Sequence, residues 1–228
     1  MVTKKVTKKV TKKAAEKVTG DVQTVTIPPL ITKVAKITIE GTSPLLVNRF
    51  DSKILDELSA AYIAKMNKTV IADNKKAATP EEEFNRSLYV MPSSTKKKIK
   101  YGMPTSGIKK CAISAAKRYT KKKGTVMEGA FFILEDESGL CEIKSKKGPV
   151  MDGRGVRVGP FGNKKPALRH RARFDDWEVT FTVHYRPDII SPEMLVNLFE
   201  NAGFSVGLCE YRPEKTGTLG MFRVKRSK

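Results

Sequence analysis

The sequence predicts an α+β domain in which an antiparallel sheet carries its helices on one face, and three observations lead there. Residues 177 to 185 alternate strictly, with Trp177, Val179, Phe181, Val183 and Tyr185 on one side of a strand and Glu178, Thr180, Thr182 and His184 on the other. Ser191, Pro192 and Glu193 then supply an N-cap, a first-turn proline and a carboxylate at the positive end of a helix dipole. Leu195, Leu198, Phe199 and Ala202 share the apolar face of that helix, and Gly203 is expected to stop it. Earlier, residues 104 to 119 form a second amphipathic helix, with an apolar strand at 34 to 40 before it and another at 130 to 134 after it. Strand, helix and strand, stated twice, is the ferredoxin-like arrangement.

The elements follow in order. Residues 2 to 13 repeat Val-Thr-Lys-Lys three times, and residues 1 to 29 read as a disordered basic tail that cannot bury enough surface to offset its ordering entropy. The remainder, residues 30 to 228, reads as one domain with insertions near 67 to 103 and 140 to 173. Val34, Ile37 and Ile39 mark the first strand, and Gly41 closes it. Asp51 and Ser52 are candidate caps for a helix to Met66 whose apolar side includes Leu58, Tyr62 and Met66. Residues 67 to 78 read as a polar loop, and Thr79, Pro80 and Glu82 form a capping box that opens a short helix to about Leu88. Residues 93 to 100 read as a basic surface loop.

In the helix over 104 to 119, Ile108, Cys111, Ala112, Ala115, Ala116 and Tyr119 form a narrow face of mostly small side chains, suited to close packing on a sheet. Gly124 is expected to end it. The continuous apolar run at 130 to 134 predicts a fully buried, central strand. Residues 140 to 173 are basic and broken by glycines, which reads as an extended insertion or hairpin held against a polyanion, or else as an irregular surface flap. Residues 204 to 211 and 219 to 225 are expected to be the closing strands, joined by a basic glycine-containing loop.

Charge bounds the function. The 228 residues include 44 Lys and Arg against 24 Asp and Glu, a formal charge of +20. Such a surface attracts polyanions, so nucleic acid is the natural partner, although a lysine-rich surface also serves solubility alone. Cys111, Cys141 and Cys209 are widely spaced with no C-x-x-C pair, which predicts a reducing, cytoplasmic setting with neither a zinc site nor another cofactor. No apolar run is long enough for a membrane span, and the first residues lack the apolar core of a secretory signal.

Catalytic chemistry is thin. His170 and His184 are the only imidazoles, and neither belongs to a recognisable nucleophile pattern. Asp175 with Asp176, and Asp136 between Glu135 and Glu137, are paired carboxylates at strand ends, where acidic turn residues are ordinary. Binding chemistry is richer. In the loop over 212 to 220, Arg212 and Lys215 are candidates for phosphate contacts beside Thr216, while Gly217 and Gly220 permit close backbone approach and offer amide donors. Tyr211 is a candidate to stack on a base. The second candidate stretch holds Arg154, Arg157, Lys164, Lys165, Arg169 and Arg171.

Residues 202 to 222, Ala-Gly-Phe-Ser-Val-Gly-Leu-Cys-Glu-Tyr-Arg-Pro-Glu-Lys-Thr-Gly-Thr-Leu-Gly-Met-Phe, resemble the closing part of a family of tailed-phage proteins. More loosely they resemble the glycine-rich loop that ends the RAMP superfamily of CRISPR backbone proteins, and Ile39 to Leu46 fits that superfamily's opening strand and turn. The resemblance implies an RNA-recognition-type fold, single-stranded RNA or DNA as partner, and copies assembled along the strand in a host cytoplasm. It leaves open a RAMP-like endoribonuclease using His170 or a loop carboxylate, or a virion structural or interaction protein.

Overall fold

The structure is a computed structural model that describes residues 29–49, 59–60, 62–64, 66–67, 78–119, 124–135, 137–158 and 165–226. The basic tail up to residue 28, nearly all of the loop at 67 to 78, Asp136 and Lys164 lie outside the described residues. So does most of the helix expected up to Met66. Its described residues are helical, but Tyr62 and Met66 are 66% and 68% exposed, so they do not form the apolar side expected of them.

Strand β1 (Lys33–Gly41) pairs antiparallel with a later strand over Glu178–Tyr185, from Lys33 opposite Tyr185 to Glu40 opposite Glu178. The other edge of β1 takes Phe222–Val224. In chain order the further elements are β2 (Leu45–Val47), α1 (Pro80–Ser87), β3 (Tyr89–Val90), β4 (Tyr101–Pro104), α2 (Thr105–Tyr119), α3 (Gly124–Glu128) and β5 (Phe131–Ile133). There follow β6 (Leu140–Lys144), β7 (Val150–Val158), β8 (Lys165–Phe174), β9 (Glu178–Tyr185), α4 (Pro192–Ser205), a 3-10 turn (Pro213–Lys215) and β10 (Phe222–Val224). The strand order β10-β1-β9-β5, with α2 leading into β5 and α4 into β10, is the expected ferredoxin-like core. Beyond β9 the main sheet continues through β6, β4 and β3, while β2, β8 and β7 form a second sheet.

Alternation puts Ile37, Ile39, Val179, Phe181, Val183 and Tyr185 in the core beneath α2 and α4. Phe199 of α4 is fully buried, its ring centre 5.2 Å from that of Phe181 and 6.1 Å from that of Phe131. The small face of α2 is buried at Ile108, Cys111, Ala112, Ala115 and Ala116, but Tyr119 at its end is 58% exposed. The capping box at Thr79 forms as expected, with Thr79 Oγ1 accepting from the Glu82 amide and Glu82 accepting from the Thr79 amide.

Several expected boundaries differ, each for a reason outside local sequence. Gly203 does not stop α4. It is buried inside the helix, where a β-carbon would stand 2.0 Å from the Phe222 carbonyl oxygen, so it is glycine because β10 crosses there. Gly207, at φ 72°, takes the left-handed position after the helix and its amide donates to Ala202. Residues 204 to 211 are therefore helix end and turns rather than a strand, with Cys209 and Tyr211 also at positive φ. Closing is left to β10 alone. Gly124 begins α3 instead of ending α2. β5 pairs with β9 alone among the described strands and leaves Phe132 53% exposed, so it is not the central, fully buried strand its composition predicted.

Candidate nucleic-acid interface

The segment from 140 to 173 folds into β6 and a long antiparallel hairpin. Register runs from Val150 opposite Arg173 to Val158 opposite Lys165, so Asp152, Arg154, Lys165, Arg169, Arg171 and Arg173 share one face. Arg157 falls on the other face, with Gly153 and Gly155. Three arginines two residues apart, and Arg154 directly opposite Arg169, would repel one another on a bare sheet. Acidic side chains from four places prevent this.

Asp152, buried on the same face, accepts from Arg154 Nε at 2.5 Å and from Arg173 at 2.8 Å. The hydrogen bond from Arg154 holds its carboxyl below the ordinary carboxylate range against the opposing effect of burial, and Arg173 adds to the shift. Asp175 takes Arg173 Nε at 2.7 Å. Glu83 reaches across from α1 to Arg169 at 2.5 Å and accepts the His170 amide at 2.9 Å. Burial raises the Glu83 carboxyl, but the His170 amide and Arg169 outweigh it and leave it lowered. Glu210 accepts from Arg171 at 3.3 Å and from Asn48 Nδ2 at 3.2 Å. The network fixes the guanidiniums while leaving each with further N–H donors, and Arg169 remains 46% exposed.

Glu210 and Tyr211 lead directly into the loop of the other predicted stretch, and the Tyr211 ring centre lies 4.9 Å from the Arg154 guanidinium carbon. The structure thus joins the basic hairpin to the start of the glycine-containing loop. Within that loop Arg212 donates to Glu214 at 3.0 Å and to the Cys209 carbonyl at 2.9 Å. Glu214 also accepts from Ser114 of α2 at 2.5 Å, which lowers its carboxyl against burial, with Arg212 contributing. Arg212 and Glu214 border a cavity of about 450 Å³ against α2, together with Lys110 and Tyr89.

The loop amides are largely spent within the protein. Lys215 and Gly217 donate to the Arg212 carbonyl, Thr216 to Pro213, Leu219 to Tyr211, and Gly220 to Pro44, all at 2.8 to 3.0 Å. The backbone that Gly217 admits is the chain's own, since a β-carbon there would stand 1.8 Å from the Tyr211 oxygen. Gly220, at φ 69°, likewise meets the Leu208 carbonyl. The exposed residues of this loop are Lys215, Thr216 and Thr218. Lys215, Lys165 and Arg157 have no ionic partner among the described residues, whereas Lys164 lies outside them.

Sequence reasoning missed Asp152, Glu83, Glu210 and Arg173 as parts of one network. A lone acid in a basic strand was the available signal for Asp152; nothing local marked the other two acids. Three of the carboxylates considered for metal binding, Glu135, Asp175 and Asp176, are otherwise engaged, and Asp136 lies outside the described residues. Asp176 accepts from the Lys146 amide and Ser145, Asp175 pairs with Arg173, and Thr105 Oγ1 donates to Glu135. Among the described residues no cluster of three or more His, Cys, Asp or Glu is placed to hold a metal ion, and no helix is long and apolar enough to cross a membrane. Burial pushes the Cys111 thiol up to about 12, which makes it a core side chain rather than a nucleophile.

No protein-family model and no curated protein matches the chain. Among solved structures the chain is similar to Cmr6 from Pyrococcus furiosus, with 13% identity and a TM-score of 0.35, over 86% of this chain and 100% of that one.

Proposed function

We propose that the chain is a non-catalytic protein that binds single-stranded nucleic acid along its phosphate backbone. The interface comprises the hairpin face of Arg154, Lys165, Arg169 and Arg171 with the adjoining Tyr211, Arg212, Lys215 and Thr216, in a loop whose turns Gly217 and Gly220 shape. Arg157, on the other face of the hairpin, and Lys164, next to Lys165 in the sequence, add to the basic set, and copies follow one another along the strand. The observation that carries this reading is the Arg154 to Tyr211 contact, which makes one surface of two basic stretches distant in sequence. The paired acids hold planar guanidiniums in fixed positions, from which their remaining donors suit phosphate oxygens. The resemblance to tailed-phage proteins supports a phage-encoded setting in a host cytoplasm.

The test is a mobility-shift panel of single- and double-stranded RNA and DNA, repeated over a salt series. Lys165→Ala with Arg169→Ala should weaken binding more than Lys4→Ala with Lys8→Ala, and should shallow the log-log salt slope by roughly 0.7 for each phosphate of a single strand that is no longer neutralised. Equal effects of the two pairs would leave only diffuse attraction. A second reading, RNA cleavage by His170, is favoured by one contact, Glu83 Oε2 at 3.2 Å from His170 Nδ1, the kind of partner that orients an imidazole. Cleavage of labelled RNA that disappears in His170→Ala would establish it.

A further inference from the structure

The core sheet has a second face, turned away from α2 and α4, that the interface above does not use. Register puts Val34 opposite His184 and His184 opposite Phe132, so the three form a row across β1, β9 and β5. Val34 is 59% and Phe132 53% exposed. In the next row Lys36 lies opposite Thr182, whose carbonyl accepts from the amide of Leu134, itself 47% exposed. Lys109 reaches this face from α2 and stands its ammonium 3.7 Å from the centre of the Phe132 ring. Beyond lies the hydroxyl pair of Thr38 and Thr180, 2.9 Å apart. Among the described residues the acids of this face are paired with cations: Glu142, which the β6 register sets beside Thr180, with Lys100, and at the far end Glu40 with Arg223 and Glu178 with Lys225. A groove of about 950 Å³ opens towards that end from Lys36 and Thr38.

An exposed ring with Lys109 over it and Lys36 nearby, and threonine hydroxyls further along the face, offer a partner for each part of a nucleotide: a stacking surface for the base, cations for the phosphate and hydroxyls for the ribose. We propose that this face is a platform for single-stranded RNA, an inference that rests on the nucleic-acid reading above. A base stacks on Phe132, and His184 and Val34 extend the surface. Lys36 and Lys109 meet the adjoining phosphates, and Thr182, whose hydroxyl has no partner among the described residues, meets a ribose 2′-hydroxyl. A duplex cannot use the platform, because its base faces are already stacked on one another.

The experiment uses the full chain and a fluorescently labelled uridine oligonucleotide of roughly 12 nucleotides, read by anisotropy. Phe132→Ala should weaken binding about 5- to 100-fold without changing the salt slope, since stacking releases no counterions. Lys36→Ala should shallow that slope by roughly 0.7. Phe132→Trp should keep the affinity, and the RNA should quench the emission of the new indole. Because Phe132 is exposed, the thermal midpoint of each variant should stay at the parent value. The deoxyuridine oligonucleotide should bind more weakly, and a duplex should be indifferent to Phe132→Ala. Unchanged RNA affinity in Phe132→Ala, with binding abolished in the hairpin variants, would overturn the platform and leave the hairpin interface standing. A parent chain that binds no RNA would remove both. Equal binding of the RNA and DNA oligonucleotides would overturn the ribose contact and the commitment to RNA. Unchanged RNA affinity together with altered self-association would reassign the face to a second copy of the chain.

Discussion

The Arg154 guanidinium carbon lies 4.9 Å from the centre of the Tyr211 ring, and the same guanidinium is held by Asp152 at 2.5 Å. Tyr211 stands at φ 54°, a left-handed conformation uncommon for a side chain of its size, so the turn that presents the ring is itself constrained. Arginine and ring therefore fix each other. A double-mutant cycle of Arg154→Ala and Tyr211→Ala, read by urea unfolding, should give a coupling of about 0.5 to 1 kcal/mol. Simple additivity would show that the contact is incidental.

Asp152 should link stability to acid. Its folded-state carboxyl lies below its ordinary value, so its contribution is present above the unfolded value near pH 4 and is lost as pH falls through the lower folded value. Asp152→Ala should destabilise the protein at neutral pH by about 1 to 3 kcal/mol, the partners being a third exposed and so partly screened. The difference between variant and parent should shrink below pH 4. A constant difference down to pH 2 would contradict the assignment.

Phe199 is fully enclosed between Phe181 and Phe131. Phe199→Ala should cost about 3 to 5 kcal/mol in urea unfolding, from forfeited transfer energy and the cavity left behind. A near-neutral result would mean that α4 does not pack beneath the sheet.

Two glycines should behave in opposite ways. Gly203→Ala drives a β-carbon into the Phe222 carbonyl and should destabilise by about 1 to 3 kcal/mol, with β10 the first element to loosen. Gly155→Ala meets nothing within 4 Å and should be neutral or slightly stabilising. Hydrogen exchange at the β10 amides together with thermal midpoints would check both.

Gly217→Val should act on the fold before it acts on any ligand. The closest atoms to a side chain there are those of the Tyr211 backbone, the oxygen at 1.8 Å. The substitution should lower the thermal midpoint and release the Gly217 amide from Arg212. Normal stability with selectively impaired binding would show instead that a ligand occupies the space.

The sequence alone determined what depends on local periodicity and on ends. The strict alternation of β9, the Ser191 and Thr79 caps, and the small-residue face of α2 are each decided within a single helix or strand, because side-chain direction follows backbone period. The ferredoxin-like order followed from those pieces, since few arrangements of two strand-helix-strand units bury their apolar faces together. What only tertiary structure decided depends on residues far away in the chain. Gly203 resembles a helix stop, and becomes a helix-interior residue because β10 passes over it. Phe132 resembles core, and is turned out because alternation puts it, between buried Phe131 and Ile133, on the sheet face that α2 and α4 do not cover. The arginines of β8 read as a bare basic run, yet apart from Asp175, which is close to Arg173 in sequence, their acids come from α1, from β7 and from the turn after α4. No local pattern encodes such pairings, because a charge finds its partner by distance in space, and folding alone sets that distance.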